Sequence, residues 1–128
     1  MTLPERRVGP VSREKMKQVA LFLDDPNPIH FDPDAVRRMG LGDEPINQGP
    51  SGMGYVLDML IDFCGRADAI RRFECRLHGN VFAGDELTAG GTVAAIDEET
   101  VSCDVWLKRH LDVVLSGTAV LAIAESDE

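Results

Sequence analysis

The apolar positions divide the chain into a helical first half and a strand-forming second half. In REKMKQVALFL, residues 13–23, Met16, Val19, Ala20, Phe22 and Leu23 form a stripe at helical spacing. Ser12 stands as the N-cap, with Lys15 at the third helical position in place of the Glu of a full capping box. Pro26 and Pro28 disfavour helical backbone in the residues before them, so the helix ends at DDPNP. A second short helix is predicted from Pro33, capped by Asp32 and stopped at Gly40, with GLGDEP as a loop. In SGMGYVLDMLIDFC, residues 51–64, apolar side chains cover nearly every angle of a helix, and Asp58 and Asp62 mark its one polar side. A helix apolar almost all round belongs in a protein interior. Gly65 supplies its stop.

From Phe73 onward the period changes to two. Phe73, Cys75 and Leu77 alternate with Arg72, Glu74, Arg76 and His78, and Gly84 with Asp85 makes a turn or bulge. LTAGGTVAAI, VSCDVWLK and VVLSGTAVLAI follow as antiparallel neighbours, separated by the acidic DEET and by RHLD. Glycines 90, 91 and 117 inside these strands predict curvature or close backbone approach. RRVGPV, residues 6–11, is a short edge strand limited by Pro10. The expected architecture is α+β, one buried helix wrapped by a curved antiparallel sheet. Such sheets commonly manage their edges by pairing two copies, so a dimer is expected.

Composition narrows the classes. A chain of 128 residues is most simply one domain, residues 1–128, with a frayed tail at about 125–128. One tryptophan, one tyrosine and five phenylalanines leave the core to aliphatic residues. A net charge of −9 argues against nucleic acid, whose binders need a positive footprint. It leaves room for an anionic small ligand near Arg37 and Arg38, near Arg71, Arg72 and Arg76, or near Lys108 and Arg109, although solvated surface charge is the commoner explanation of such groups. Cys64, Cys75 and Cys103 lie among apolar neighbours without metal-ligand spacing and read as buried free thiols, which fits a reducing cytoplasm. MTLPERRVGPVS lacks the apolar run of a signal peptide, and VVLSGTAVLAIA is shorter than the about 20 residues that span a bilayer, so no membrane role is expected.

The densest group of reactive side chains is DDPNPIHFD, residues 24–32. On pattern alone a polar turn accounts for it, because Asp, Asn and Pro are common turn residues. Asp25, His30, Asp32 and Asp34 could also supply oxygen and nitrogen ligands, but no HxH, HxxxH or Cys partner completes a metal set. GPSGMG, residues 49–54, lacks the lysine and preceding strand of a phosphate-binding loop. His78 and His110 read as surface residues, and Trp106 as an interface or pocket residue.

Asp25-Pro26-Asn27-Pro28-Ile29-His30, followed by Asp32-Pro33, resembles the D-x-N-P-[LIV]-H signature of the MaoC-like hot-dog proteins, which include (R)-specific enoyl-CoA hydratases and 3-hydroxyacyl dehydratases. The resemblance continues through a short helix, a glycine-containing loop at Ile46 to Gly49, the long apolar helix and FECRLHGNVFAGDEL, and covers the chain from about Val11 onward. It implies hydration or dehydration of a 2-enoyl/3-hydroxyacyl thioester carried on CoA or an acyl carrier protein, without metal or other cofactor. It also implies that Asp25 and His30 handle the water, and that the backbone N–H of Gly49 polarises the thioester carbonyl. The prolines make physical sense in that setting, since a stiff loop lowers the entropy lost when two side chains converge. Substrate-binding candidates are Asn27, Gln48, Met53 and Tyr55, with Met53 and Tyr55 equally placed for core packing and Asn27 for bonding within its own turn.

Two positions depart from the family pattern. Leu23 and Asp24 precede the catalytic Asp where a small residue and Gly are usual, and Asn47-Gln48-Gly49-Pro50 stands where Ala-His-Gly-Met is often found. Both bear on the type of substrate. Two other functions remain open: a noncatalytic partner in a hetero-oligomer of hot-dog subunits, and an acyl thioesterase.

Overall fold

The computed structural model describes residues 1–16, 18, 27–30, 32–47 and 49–123. Its elements are β1 (Arg6–Val8), α1 (Pro33–Arg38), α2 (Gly49–Cys64), β2 (Ile70–Leu77), β3 (Leu87–Ile96), β4 (Thr100–Arg109) and β5 (Asp112–Ala122). Single 3-10 turns lie at Pro28–His30 and Ala67–Ala69. The five strands form one antiparallel sheet in the order β1-β3-β4-β5-β2.

Helix α2 packs against β2, β3, β4 and β5. Between residues 51 and 64 only Asp58 and Asp62 are exposed, as the all-round apolar pattern requires. Val56, Met59 and Leu60 are buried against Ala89, Cys103, Val105, Leu107, Leu115, Ala119 and Leu121 from the sheet. Each large aliphatic side chain so buried contributes about 1.5–3 kcal/mol of transfer free energy. The helix starts at Gly49 instead of Ser51 because Gly-Pro occupies its first turn, where proline lacks only an N–H that no helical carbonyl would accept. It stops at Gly65, whose φ of +80° favours glycine.

Two glycines allow strands to meet that a side chain would hold apart. A Cβ on Gly117 would lie 2.1 Å from the carbonyl oxygen of Glu74 on β2, and one on Gly91 would lie 2.5 Å from that of Asp104 on β4. Gly90 faces Trp106 on the other side of the sheet, where the Nζ of Lys108 lies 4.7 Å from the centroid of the indole ring. The indole Nε1 is buried without a hydrogen-bond partner among the described residues.

The short helices follow their capping signals. Residues 13–16 are helical, with the Lys15 N–H donating to Ser12 Oγ at 3.2 Å. The expected continuation to residue 23 falls mostly outside the described residues, as does the 125–128 tail. Helix α1 is capped by the Asp32 carboxylate, which accepts from the Asp34 N–H at 2.9 Å.

Three expectations are corrected. The first strand ends at Val8, before the cis Gly9–Pro10 bond, and does not reach Val11. Leu77 keeps the face of Phe73 and Cys75, opposite Leu115, but is 54% exposed instead of buried, where it lines an open cavity at the end of β2. Cys103 is buried, whereas Cys64 and Cys75 are half-buried; all three are free thiols. Burial pushes the Cys103 and Cys75 thiols above their ordinary pKa.

Candidate active site

His30 ends the 3-10 turn Pro28–His30, just before α1. The turn is held from within: Asn27 Oδ1 accepts from the Ile29 N–H at 3.2 Å, and the Pro28 carbonyl accepts from the Asp32 N–H at 2.7 Å. A second segment, Pro45–Asn47, grips it from the side. The Ile46 N–H donates to the Ile29 carbonyl, and His30 Nδ1–H donates to the Ile46 carbonyl, both at 2.7 Å. A carbonyl oxygen only accepts, so Nδ1 carries a proton, and in a neutral ring the lone pair is then on Nε2.

His30 lines a cavity of about 450 Å³ between the Pro28–His30 turn, the start of α2 and the ends of β2, β4 and β5. Ile29, Ile46, Leu107 and Leu115 form apolar walls, while Asn47, His78 and Asn80 add polar groups. Gly52, in the first turn of α2, also reaches this cavity. The first N–H groups of a helix have no intrahelical acceptor and carry the positive end of its dipole. Gly49, Ser51 and Gly52 contribute such groups; Pro50 contributes none. An enolate oxygen is the kind of charge that this end of a helix stabilises.

Asn47 is the buried polar residue at the centre of this arrangement, only 8% exposed. Its backbone N–H donates to the Val81 carbonyl at 2.5 Å, and its Nδ2 donates to Tyr55 Oη at 3.2 Å. Burial raises the Tyr55 pKa, partly offset by that hydrogen bond. Asn47 borders the His30 cavity and also a second cavity of about 280 Å³, lined by Ser12, Lys15, Ser51, Tyr55 and Asp58.

The residues singled out in the sequence are therefore distributed as follows. His30 is on the cavity wall, Gly49 opens α2, and Tyr55 is on the second cavity. Met53 packs against the core and borders neither cavity. Asn27 is exposed, with its Oδ1 bonded to the turn. Asp25, Asp24 and Gln48 lie outside the described residues. Sequence reasoning passed over Asn47 as a site residue and placed His78 at the surface. His78 is indeed exposed and bonds Ser116 Oγ at 2.6 Å, yet it also forms part of the cavity rim. The one local signal for Asn47 was a polar residue where the family often has Ala.

The arginines of the suggested basic patches largely have acidic partners. Arg37 pairs with Asp34, Arg72 with Glu74, Arg109 with Asp85 at 3.1 Å, and Arg38 lies 4.0 Å from Asp32. Among the described residues no group of three His, Cys, Asp or Glu side chains is arranged to hold a metal. No helix among them is long and apolar enough to cross a membrane.

A sequence model of the MaoC-like domain matches residues 2–108, and the chain belongs to that family of hydratases and dehydratases. The solved structures it resembles include a MaoC-like dehydratase, with a TM-score of 0.90 and 24% identity over 97% of this chain and 40% of that one. A chain of the ChsH1–ChsH2 complex from Mycobacterium tuberculosis superposes with a TM-score of 0.83, at 21% identity over 97% and 96% of the two chains. The (R)-hydratase of A. caviae involved in PHA biosynthesis also gives 0.83, at 19% identity over 97% of each chain. At these identities the likeness is one of fold, and the fold is the hot-dog fold. A sequence search of curated proteins returns no match.

Proposed function

We propose that this chain catalyses the reversible hydration of a 2-enoyl thioester to a 3-hydroxyacyl thioester carried on CoA or an acyl carrier protein. The observation that carries the proposal is His30: it lies in the family signature, on a cavity wall, with Nδ1–H held by the Ile46 carbonyl. In the proposed role, Nε2 is the nitrogen that takes the proton of water.

In the proposed reaction Asp25 and His30 hold one water against carbon 3 of the enoyl group. The water oxygen bonds to carbon 3 as its proton passes to the Asp25–His30 pair. Electrons of the C2=C3 bond move toward the thioester carbonyl, whose oxygen is stabilised by the Gly49 N–H at the start of α2. The pair then delivers a proton to carbon 2 and returns to its starting charge. Dehydration is the same path reversed. No metal or cofactor enters. The acyl group is proposed to occupy the cavity beside Asn47, with Asn27, Gln48 and Tyr55 as further substrate-binding candidates.

We further propose a homodimer formed at β2. This strand is eight residues long, has no strand partner on one side among the described residues, and leaves Leu77 exposed. An extended strand with an open edge and exposed apolar side chains is suited to pairing with another copy. A hetero-oligomer is the competing assembly, since ChsH1–ChsH2 is a complex of two different chains.

The test is a panel of enoyl-CoA substrates of increasing chain length, beginning with crotonyl-CoA. Loss of the enoyl chromophore without release of thiol supports hydration. Thiol release identifies a thioesterase instead. Activity that appears only on mixing with a second hot-dog chain identifies a partner subunit.

A further inference from the structure

The Arg109–Asp85 pair lies at the end of β4, away from the proposed reacting atoms, yet it is connected to His30 by an unbroken series of contacts. Arg109 Nη1 donates to the Asn80 carbonyl at 2.8 Å and to Asp85 Oδ2 at 3.1 Å. The same Asp85 oxygen accepts from the Phe82 N–H at 2.8 Å, and the guanidinium carbon sits 5.6 Å from the centroid of the Phe82 ring. One arginine thus holds both ends of the turn from Asn80 to Asp85.

That turn is what holds the segment gripping His30. Ile46 bridges Phe82 in antiparallel fashion, the Ala83 N–H donates to the Pro45 carbonyl at 2.9 Å, and the Asn47 N–H donates to the Val81 carbonyl at 2.5 Å. Pro45–Asn47 therefore behaves as a short strand whose only regular β-bridge among the described residues is to this turn. On its other side the Ile46 carbonyl accepts His30 Nδ1–H. Arg109 and Asp85 are only 26% and 19% exposed, so their pairing is less screened by water than a surface ion pair.

We infer that Arg109 and Asp85 are positioning residues for His30, acting through the 80–85 turn and Ile46 to fix the ring's orientation and tautomer. The inference rests on the proposed role of His30, but it makes a claim about the ring that can be read without any turnover. A loosened turn lets the Ile46 carbonyl move, and displacement of a reacting group by about 1 Å can cost about 100-fold in rate.

The experiment compares wild type with Arg109→Met, Arg109→Lys and Asp85→Asn. Asp85→Asn keeps an oxygen for the Phe82 N–H while removing the charge, and Arg109→Lys keeps the charge. Each folded variant is examined by nitrogen-15 NMR of the His30 ring and by kcat and KM for an enoyl-CoA. Arg109→Met and Asp85→Asn are expected to shift His30 from the Nδ1–H form toward a mixture of tautomers. They are also expected to lower kcat by about 10- to 100-fold with little change in KM, and Arg109→Lys to recover part of the loss. Should Arg109→Met fail to fold, Asp85→Asn and Arg109→Lys decide the matter. Unchanged His30 signals in the folded variants overturn the inference, whatever happens to the rate. Altered His30 signals in the variants, together with a wild type that hydrates no enoyl-CoA, leave the positioning link standing and overturn the proposed function instead.

Discussion

His30 Nδ1–H donates to the carbonyl oxygen of Ile46 at 2.7 Å, joining positions 16 residues apart in sequence. In the proposed reaction the bond decides which nitrogen acts on water. A ring held this way has its lone pair on Nε2, so the neutral wild-type enzyme should show the Nδ1–H tautomer in nitrogen-15 NMR. A predominant Nε2–H signal would mean that the ring is turned and that the base is not Nε2.

The exposed edge of β2 makes a prediction about assembly. Leu77→Asp places a charge where an apolar side chain would be covered by a second copy, and should shift the protein toward monomer in sedimentation equilibrium. If wild type and Leu77→Asp have the same mass, β2 is not the pairing edge.

Close strand approach at Gly117 has a measurable consequence. Gly117→Ala would drive a methyl group into the Glu74 carbonyl, and should destabilise the fold by about 1–3 kcal/mol or more, read as a fall in Tm. Gly54→Ala is the contrasting change: nothing lies within 4 Å of its Cβ, and replacing a helical glycine there should gain about 0.4–1 kcal/mol. Equal effects from the two substitutions would contradict the packing described.

Asp97, in the turn between β3 and β4, accepts from the N–H groups of Glu99 and Thr100 and from the Thr100 hydroxyl. Those bonds favour the carboxylate and hold its pKa below the ordinary 3.8. Because the folded pKa is lowered, the stabilising contribution is present above the unfolded value and is lost as pH falls through the folded one. Asp97→Asn should therefore weaken the acid-range fall in stability, measured by denaturant unfolding at successive pH values. Identical slopes in both proteins would show that the turn bonds do not distinguish the two protonation states.

Much of the fold was legible because it is written in local periods. LTAGGTVAAI coincides with β3 residue for residue, and the two aspartates of the 51–64 segment are its exposed positions. Caps were legible too: Ser12, Asp32, Gly40 and Gly65 each carry a local conformational preference. Leu77 shows how far a period reaches. Alternation gives the face of a residue, but only sheet order shows that its strand lies at an edge. The site was less legible for the same reason. The signature drew attention to His30, but its bond to Ile46 and the link from Arg109 to the 80–85 turn join distant segments with no repeating pattern. Asn47 drew notice only as a departure from a family motif, with nothing local to say that it would be buried between two cavities.

The most direct measurement is the rate of hydration of a matched enoyl-CoA by wild type, Asp25→Asn and His30→Ala, with folding of each checked by circular dichroism. The proposed mechanism predicts hydration by wild type and a loss of about 100- to 10,000-fold in each variant, the range expected for removing a general acid or base. Equal activity in all three folded proteins would contradict it.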